Sequence, residues 1–109
     1  MSHNVGSDGW AAPQCEITVP VSTRAKALVL KLEYPGWPGI GEHVQIALRD
    51  ESSRIVHAVL NQGMNEVVFP YSGNLSHVTL KIESDHSFKL PAPDSRLCSF
   101  RIATITARE

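Results

Sequence analysis

Apolar and polar residues alternate with a period of two along most of the chain, the pattern of strands that bury one face and wet the other. Cys15, Ile17 and Val19 alternate with Gln14, Glu16 and Thr18, and Pro20 closes this first run. Leu28, Leu30, Leu32 and Tyr34 alternate with Ala27, Val29, Lys31 and Glu33 until Pro35; Val44, Ile46 and Leu48 form a third run. After the turn residues Asp50 to Ser53, Ile55, His57 and Val59 alternate with Val56, Ala58 and Leu60, so the third and fourth strands should form a hairpin. Asn61 to Asn65 reads as the next turn, Val67 to Phe69 as a short strand before Pro70, and Val78, Leu80 and Ile82 as another strand. Ser84 to Ser95 is irregular and carries prolines; Phe100, Ile102, Thr104 and Thr106 then alternate with Arg101, Ala103 and Ile105 in a closing strand.

No stretch keeps a helical period free of prolines and turn signals. Short strands at this spacing predict an all-β, two-sheet antiparallel sandwich or jelly roll of about seven to eight strands. At 109 residues the chain suits one domain. The expected division is a flexible N-terminal segment over residues 1–7 and a single β-sandwich domain over 8–109.

Charge and composition narrow the function. Ten Lys and Arg against 11 Asp and Glu give a net charge of -1, so there is no basic field to collect phosphates and nucleic acid is not expected as a partner. The most apolar stretch, Ala25 to Tyr34, is interrupted by Lys26, Lys31 and Glu33, which excludes a membrane-spanning helix. Met1 to Ser7 lacks the charged start and apolar centre of a signal peptide, so a cytoplasmic protein is expected. Cys15 and Cys98 lack a CxxC spacing and are expected as two buried thiols, although a bridge is possible if the first and last strands are neighbours.

Catalytic patterns are missing. His3, His43, His57, His77 and His86 show no HxH or HxxxH spacing, there is no GxSxG, and Gly36, Gly39 and Gly41 precede no helix that could cradle an anion. The expectation is a non-enzyme with no catalytic residue, no metal and no cofactor. Aromatic rings are the remaining binding chemistry, because sugar C–H faces stack on flat side chains. Trp37 lies in a loop stiffened by Pro35 and Pro38, Trp10 stands just before the first strand, and Tyr71 follows the fifth. Each can instead pack over an end of the core.

Asp8-Gly9-Trp10 followed by Pro13 and Val19-Pro20, then Tyr34-Pro35-Gly36-Trp37-Pro38, then Phe88 with Pro91, Asp94 and Arg96 before the last strand, resemble the small non-catalytic β-sandwich modules appended to bacterial glycosyltransferases, which are carbohydrate-binding-module-like. Cys98 and Ser99 depart from that pattern, which has Leu and Gly there. The resemblance implies an accessory domain that recognises a glycan or glycosyl acceptor, with Trp37, Tyr71 and Trp10 as the sugar-contacting residues. Asp8, Phe88, Asp94 and Arg96 form its structural motif, in which a charge pair ties the Ser84 to Ser95 excursion to Asp8 and Phe88 plugs the core. The alternative is a structural or protein-interaction domain, in one version a homodimer formed through sheet edges or faces.

Overall fold

Ten strands follow one another without a helix in the computed structural model, which describes residues 2–22, 24–71 and 76–109. They are β1 (Ser2–Val5), β2 (Trp10–Pro20), β3 (Ala27–Tyr34), β4 (His43–Arg49), β5 (Ile55–Asn61), β6 (Gly63–Pro70), β7 (His77–Ser84), β8 (Phe88–Lys89), β9 (Leu97–Cys98) and β10 (Phe100–Arg108). Every ladder between named strands is antiparallel.

The all-β expectation holds, but hydrogen bonding does not divide the strands into two separate sheets. One path runs β5-β4-β7-β2-β10-β3-β6, with β1 added on β2. Its ends, β5 and β6, are consecutive and meet around Gln62, so the sheet is nearly closed into a barrel. β8 and β9 form a small separate ladder.

Alternation explains the inside. On β2 and β7 the inward pairs are Cys15 with Ile82, Ile17 with Leu80 and Val19 with Val78. The outward pairs between them are Glu16 with Lys81, of opposite charge, and Thr18 with Thr79, whose hydroxyls lie 3.0 Å apart. From the other side β3 supplies Leu28, Leu30, Leu32 and Tyr34, and β6 supplies Val67 and Phe69, all buried. Val44, Ile46, Leu48 and Leu60 complete the wall from β4 and β5.

Four details differ from the sequence reading. Ser2–Val5, expected as a flexible lead, is paired with β2 through an irregular ladder that a polar segment does not announce. β6 extends to Gly63 because it pairs with β3 over its whole length, from Ala27 with Pro70 to Tyr34 with Gly63. The expected turn over Asn61 to Asn65 shrinks to Gln62, since the Asn65 carboxamide accepts from the Asn61 N–H at 2.9 Å and donates to the Asn61 carbonyl at 2.8 Å. In β10 the register slips between Ile102 and Thr104, which resets the alternation so that both Ile102 and Ile105 pack against the core.

β2 meets β10 only through Ala11 with Phe100 and Trp10 with Arg101. Gly9 makes this corner possible. Its φ is 89°, its carbonyl accepts from the Ile102 N–H at 2.8 Å, and a Cβ there would stand 2.6 Å from the Ile102 carbonyl oxygen. Gly39 has a similar φ of 82° but open space around it. Gly9→Ala should therefore lower stability by about 2–4 kcal/mol, backbone strain plus the close contact, and Gly39→Ala by about 1–2 kcal/mol from strain alone. Thermal melts of the two variants check this; equal losses would show that the corner contact is not what demands glycine at position 9.

Candidate ligand-binding groove

The corner where β2 meets β10 gathers the aromatic side chains. Trp10 opens β2, Trp37 comes from the loop after β3, and Phe88 opens β8. The Trp37 and Phe88 rings stack with centroids 4.8 Å apart and planes 6° from parallel, and the Trp10 and Trp37 rings meet at 5.3 Å with a 42° tilt. Trp37 also donates its indole N–H to the Ser99 carbonyl at 2.8 Å. Ser99 is itself fully buried, bonded through its N–H to the Ala11 carbonyl and through its hydroxyl to that of Ser84. Trp37 is thus a packing residue, held by its ring neighbours and its one polar atom.

The long excursion after β7 is tied to the chain start by one guanidinium. Arg96 bonds Asp94 from Nε at 3.0 Å and Nη2 at 2.8 Å, and Asp8 from Nη2 at 2.9 Å and Nη1 at 3.3 Å. The Asp8 carboxylate additionally accepts from the Trp10 N–H at 3.2 Å. Hydrogen bonds from Arg96, then from the Trp10 N–H, hold the Asp8 carboxyl below its ordinary range; the Arg96 side chain, then the Arg96 N–H, do the same for Asp94. Gly6 leaves the room for this cluster, since a Cβ there would lie 2.6 Å from both Arg96 Nη1 and Asp8 Oδ1.

Between these two clusters lies an open groove of about 780 Å³. Its walls include Trp10, Arg96, Asn4, Gln14, Ser95 and Leu97, the last 53% exposed. That volume falls in the range of small-ligand sites, and an apolar ring beside amides, a hydroxyl and a charged cluster is the usual make-up of one. Arg96 already spends its Nε and both Nη atoms on two carboxylates, so the cluster carries one net negative charge. The charge at this wall therefore disfavours an anion.

The sequence-expected residues are distributed unevenly. Trp10 lines the groove and Trp37 supports it from behind through the ring contact. Tyr71 does not join them. It is buried, and its N–H bonds the Lys26 carbonyl before β3, whereas Trp37 follows the other end of that strand. A strand of this length spans about 25 Å. Asn4, Gln14 and Ser95 carry no sequence signal that separates them from ordinary surface polar residues.

The remaining chemistry lies elsewhere. Cys15 and Cys98 are free and buried, and burial pushes the Cys15 thiol up to about 12. No group of three or more His, Cys, Asp or Glu side chains among the described residues is arranged to hold a metal ion. No helix among the described residues is long and apolar enough to cross a membrane.

The lowered carboxyls make the clamp sensitive to acid. A carboxyl whose folded value lies below its unfolded value adds stability above the unfolded value and loses it as pH falls through the folded one. Arg96→Met should therefore melt below the unsubstituted protein at neutral pH, and the gap should narrow as pH drops below about 4. Melting curves at pH 7 and pH 3 check this, and a constant gap would mean that Arg96 acts by packing alone. Comparison with family models, with curated proteins and with solved structures gave no match to this chain.

Proposed function

We propose that this chain is a non-catalytic carbohydrate-recognition module that seats a neutral glycan or glycosyl acceptor in the groove beside Trp10. The observation that carries the reading is the composition of that groove. An indole ring offers a face for sugar C–H groups, the Asn4 and Gln14 amides offer donors and acceptors, and the carboxylates of Asp8 and Asp94 beside the rim offer acceptors for hydroxyls. The resemblance of the Asp8-Gly9-Trp10 and Tyr34-Pro35-Gly36-Trp37-Pro38 segments to accessory modules of bacterial glycosyltransferases points the same way. In this reading the nearly closed barrel serves as the two-sheet sandwich scaffold of such modules, because β2 spends Gln14 to Pro20 on β7 and only Trp10 and Ala11 on β10.

The test is a titration of neutral and acidic mono- and oligosaccharides, followed by calorimetry and tryptophan fluorescence. Binding in the micromolar to millimolar range is expected for neutral sugars, with weaker or absent binding of sugar acids. Trp10→Ala should weaken it at least about tenfold, equivalent to ~1.4 kcal/mol. Leu97→Glu, at an exposed rim position, should weaken it without lowering the melting temperature. Absence of heat and of fluorescence change with every sugar at about 10 mM would sink the proposal.

A further inference from the structure

β5 is an end of the sheet path, and the direction of its free backbone groups follows from two bonds at the ends of its ladder with β4. The Gln62 N–H donates to the Glu42 carbonyl at 2.8 Å and the Asp50 N–H to the Arg54 carbonyl at 3.1 Å. Bonded and non-bonded pairs alternate in an antiparallel ladder, so Val56, Ala58 and Leu60 are the residues bonded to β4. Ile55, His57, Val59 and Asn61 turn their N–H and C=O groups the other way. Asn61 is capped by the Asn65 carboxamide. Among the described residues, the backbone groups of Ile55, His57 and Val59 on that side meet no partner.

This edge lacks the usual protection. Ile55 to Asn61 contains no proline, lysine or register slip, and its outward side chains include Ile55 at 42% and Val59 at 52% exposed. The other two edges are guarded in part. β1 is short and its ladder with β2 is irregular, and Pro70 on β6 has its carbonyl taken by the Arg54 guanidinium at 2.9 Å.

Charge chooses between β5 and β6 as a self-pairing edge. The Tyr71 N–H bonds the Lys26 carbonyl, which by the same alternation leaves Met64, Glu66 and Val68 with open backbone groups on β6. A two-fold axis at the middle of that edge would set Glu66, which Arg108 already holds at 3.3 Å, directly against the partner's Glu66, so two ion pairs would have to be accommodated side by side in register. The equivalent axis on β5 falls at His57. It sets Ile55 against the partner's Val59, and Val59 against the partner's Ile55, with one imidazole facing the other, each able to donate or accept. No other register pairs all three open residues without using the capped Asn61.

The geometry points to a homodimer in which β5 pairs antiparallel with β5 of a second copy about a two-fold axis at His57, joining the two barrels in one continuous sheet. The interface is isologous and closes on itself, as a cyclic dimer requires. It is separate from the groove, which is lined from β1, β2, β9, the last residue of β7 and the segments beside them, with no residue from β5.

Cross-linking reads the register directly. Bonded pairs in an antiparallel ladder hold their Cα atoms about 5.5 Å apart, within reach of a disulfide, and the native thiols of Cys15 and Cys98 are buried. On mild oxidation His57→Cys should form a covalent dimer, and Glu66→Cys, exposed on the opposite edge, should form at most about a tenth as much in the same time. In sedimentation equilibrium the unsubstituted protein should dimerise with rising concentration, and Val59→Lys should raise the dissociation constant at least about tenfold while keeping the circular dichroism of the parent. A monomer at about 1 mM, equal cross-linking of the two cysteine variants, or a Val59→Lys dimer of parental affinity would each overturn the proposal.

Discussion

A ladder of only two residue pairs joins the two parts of this sheet path. Trp10 and Ala11 pair with Arg101 and Phe100, while Gln14 to Pro20 pairs with β7, so β2 is the one strand that bonds to both parts of the sheet path. The junction is short in hydrogen bonds and is reinforced by close approach: Gly9 lies against the Ile102 carbonyl, and Ala11 is fully buried and accepts from the Ser99 N–H. A corner built this way needs a residue without a Cβ before it and a small residue in it. Glycine and alanine stand at those positions.

The groove is a consequence of that corner. Because β2 leaves β7 to reach β10, its first residues stand apart from the ladder that covers the rest of it, and Trp10 is the side chain at the point of departure. Trp37 and Phe88 fill the space behind Trp10, which sets the ring's position by packing. The excursion that brings Phe88 is fastened by the Asp94, Arg96 and Asp8 cluster, and Arg96 of that cluster lines the far wall. Aromatic wall and charged wall are therefore two ends of one piece of scaffolding.

Most strands were legible because alternation reports directly on burial. Leu28, Leu30, Leu32 and Tyr34 read as one face and are one face. The closing strand misled, since Phe100, Ile102, Thr104 and Thr106 look like a single face until the slip at Ala103 transfers the inward role to Ile105. A bulge in a run of small and β-branched residues leaves no mark in the pattern. β1, β8 and β9 were silent for a different reason, being too short or too polar for a period to show. At the site, the charges that join Asp8 to Arg96 could be read from residue type, and the resemblance singled out Trp10. The division of labour between Trp10 and Trp37 could not, because it depends on Phe88 and Ser99, which reach Trp37 only through the folded excursion.

Groove and open edge sit on different parts of the path, with β4 and β7 between β5 and β2. A ligand at Trp10 and a second copy at His57 would therefore not compete. Their combination has a physical consequence that neither has alone. A single groove with one half-buried ring and a few amides would bind a sugar weakly, whereas the proposed two-fold dimer would carry two such grooves at a fixed separation. A chain of repeating sugar units that spans both would meet the second groove at an effective concentration set by geometry, which raises avidity without any new contact. Short oligosaccharides cannot span the pair and would gain nothing, so dependence of affinity on glycan length, present in the parent and lost in a monomeric Val59→Lys variant, is what separates a bivalent reader of polymers from two independent sites.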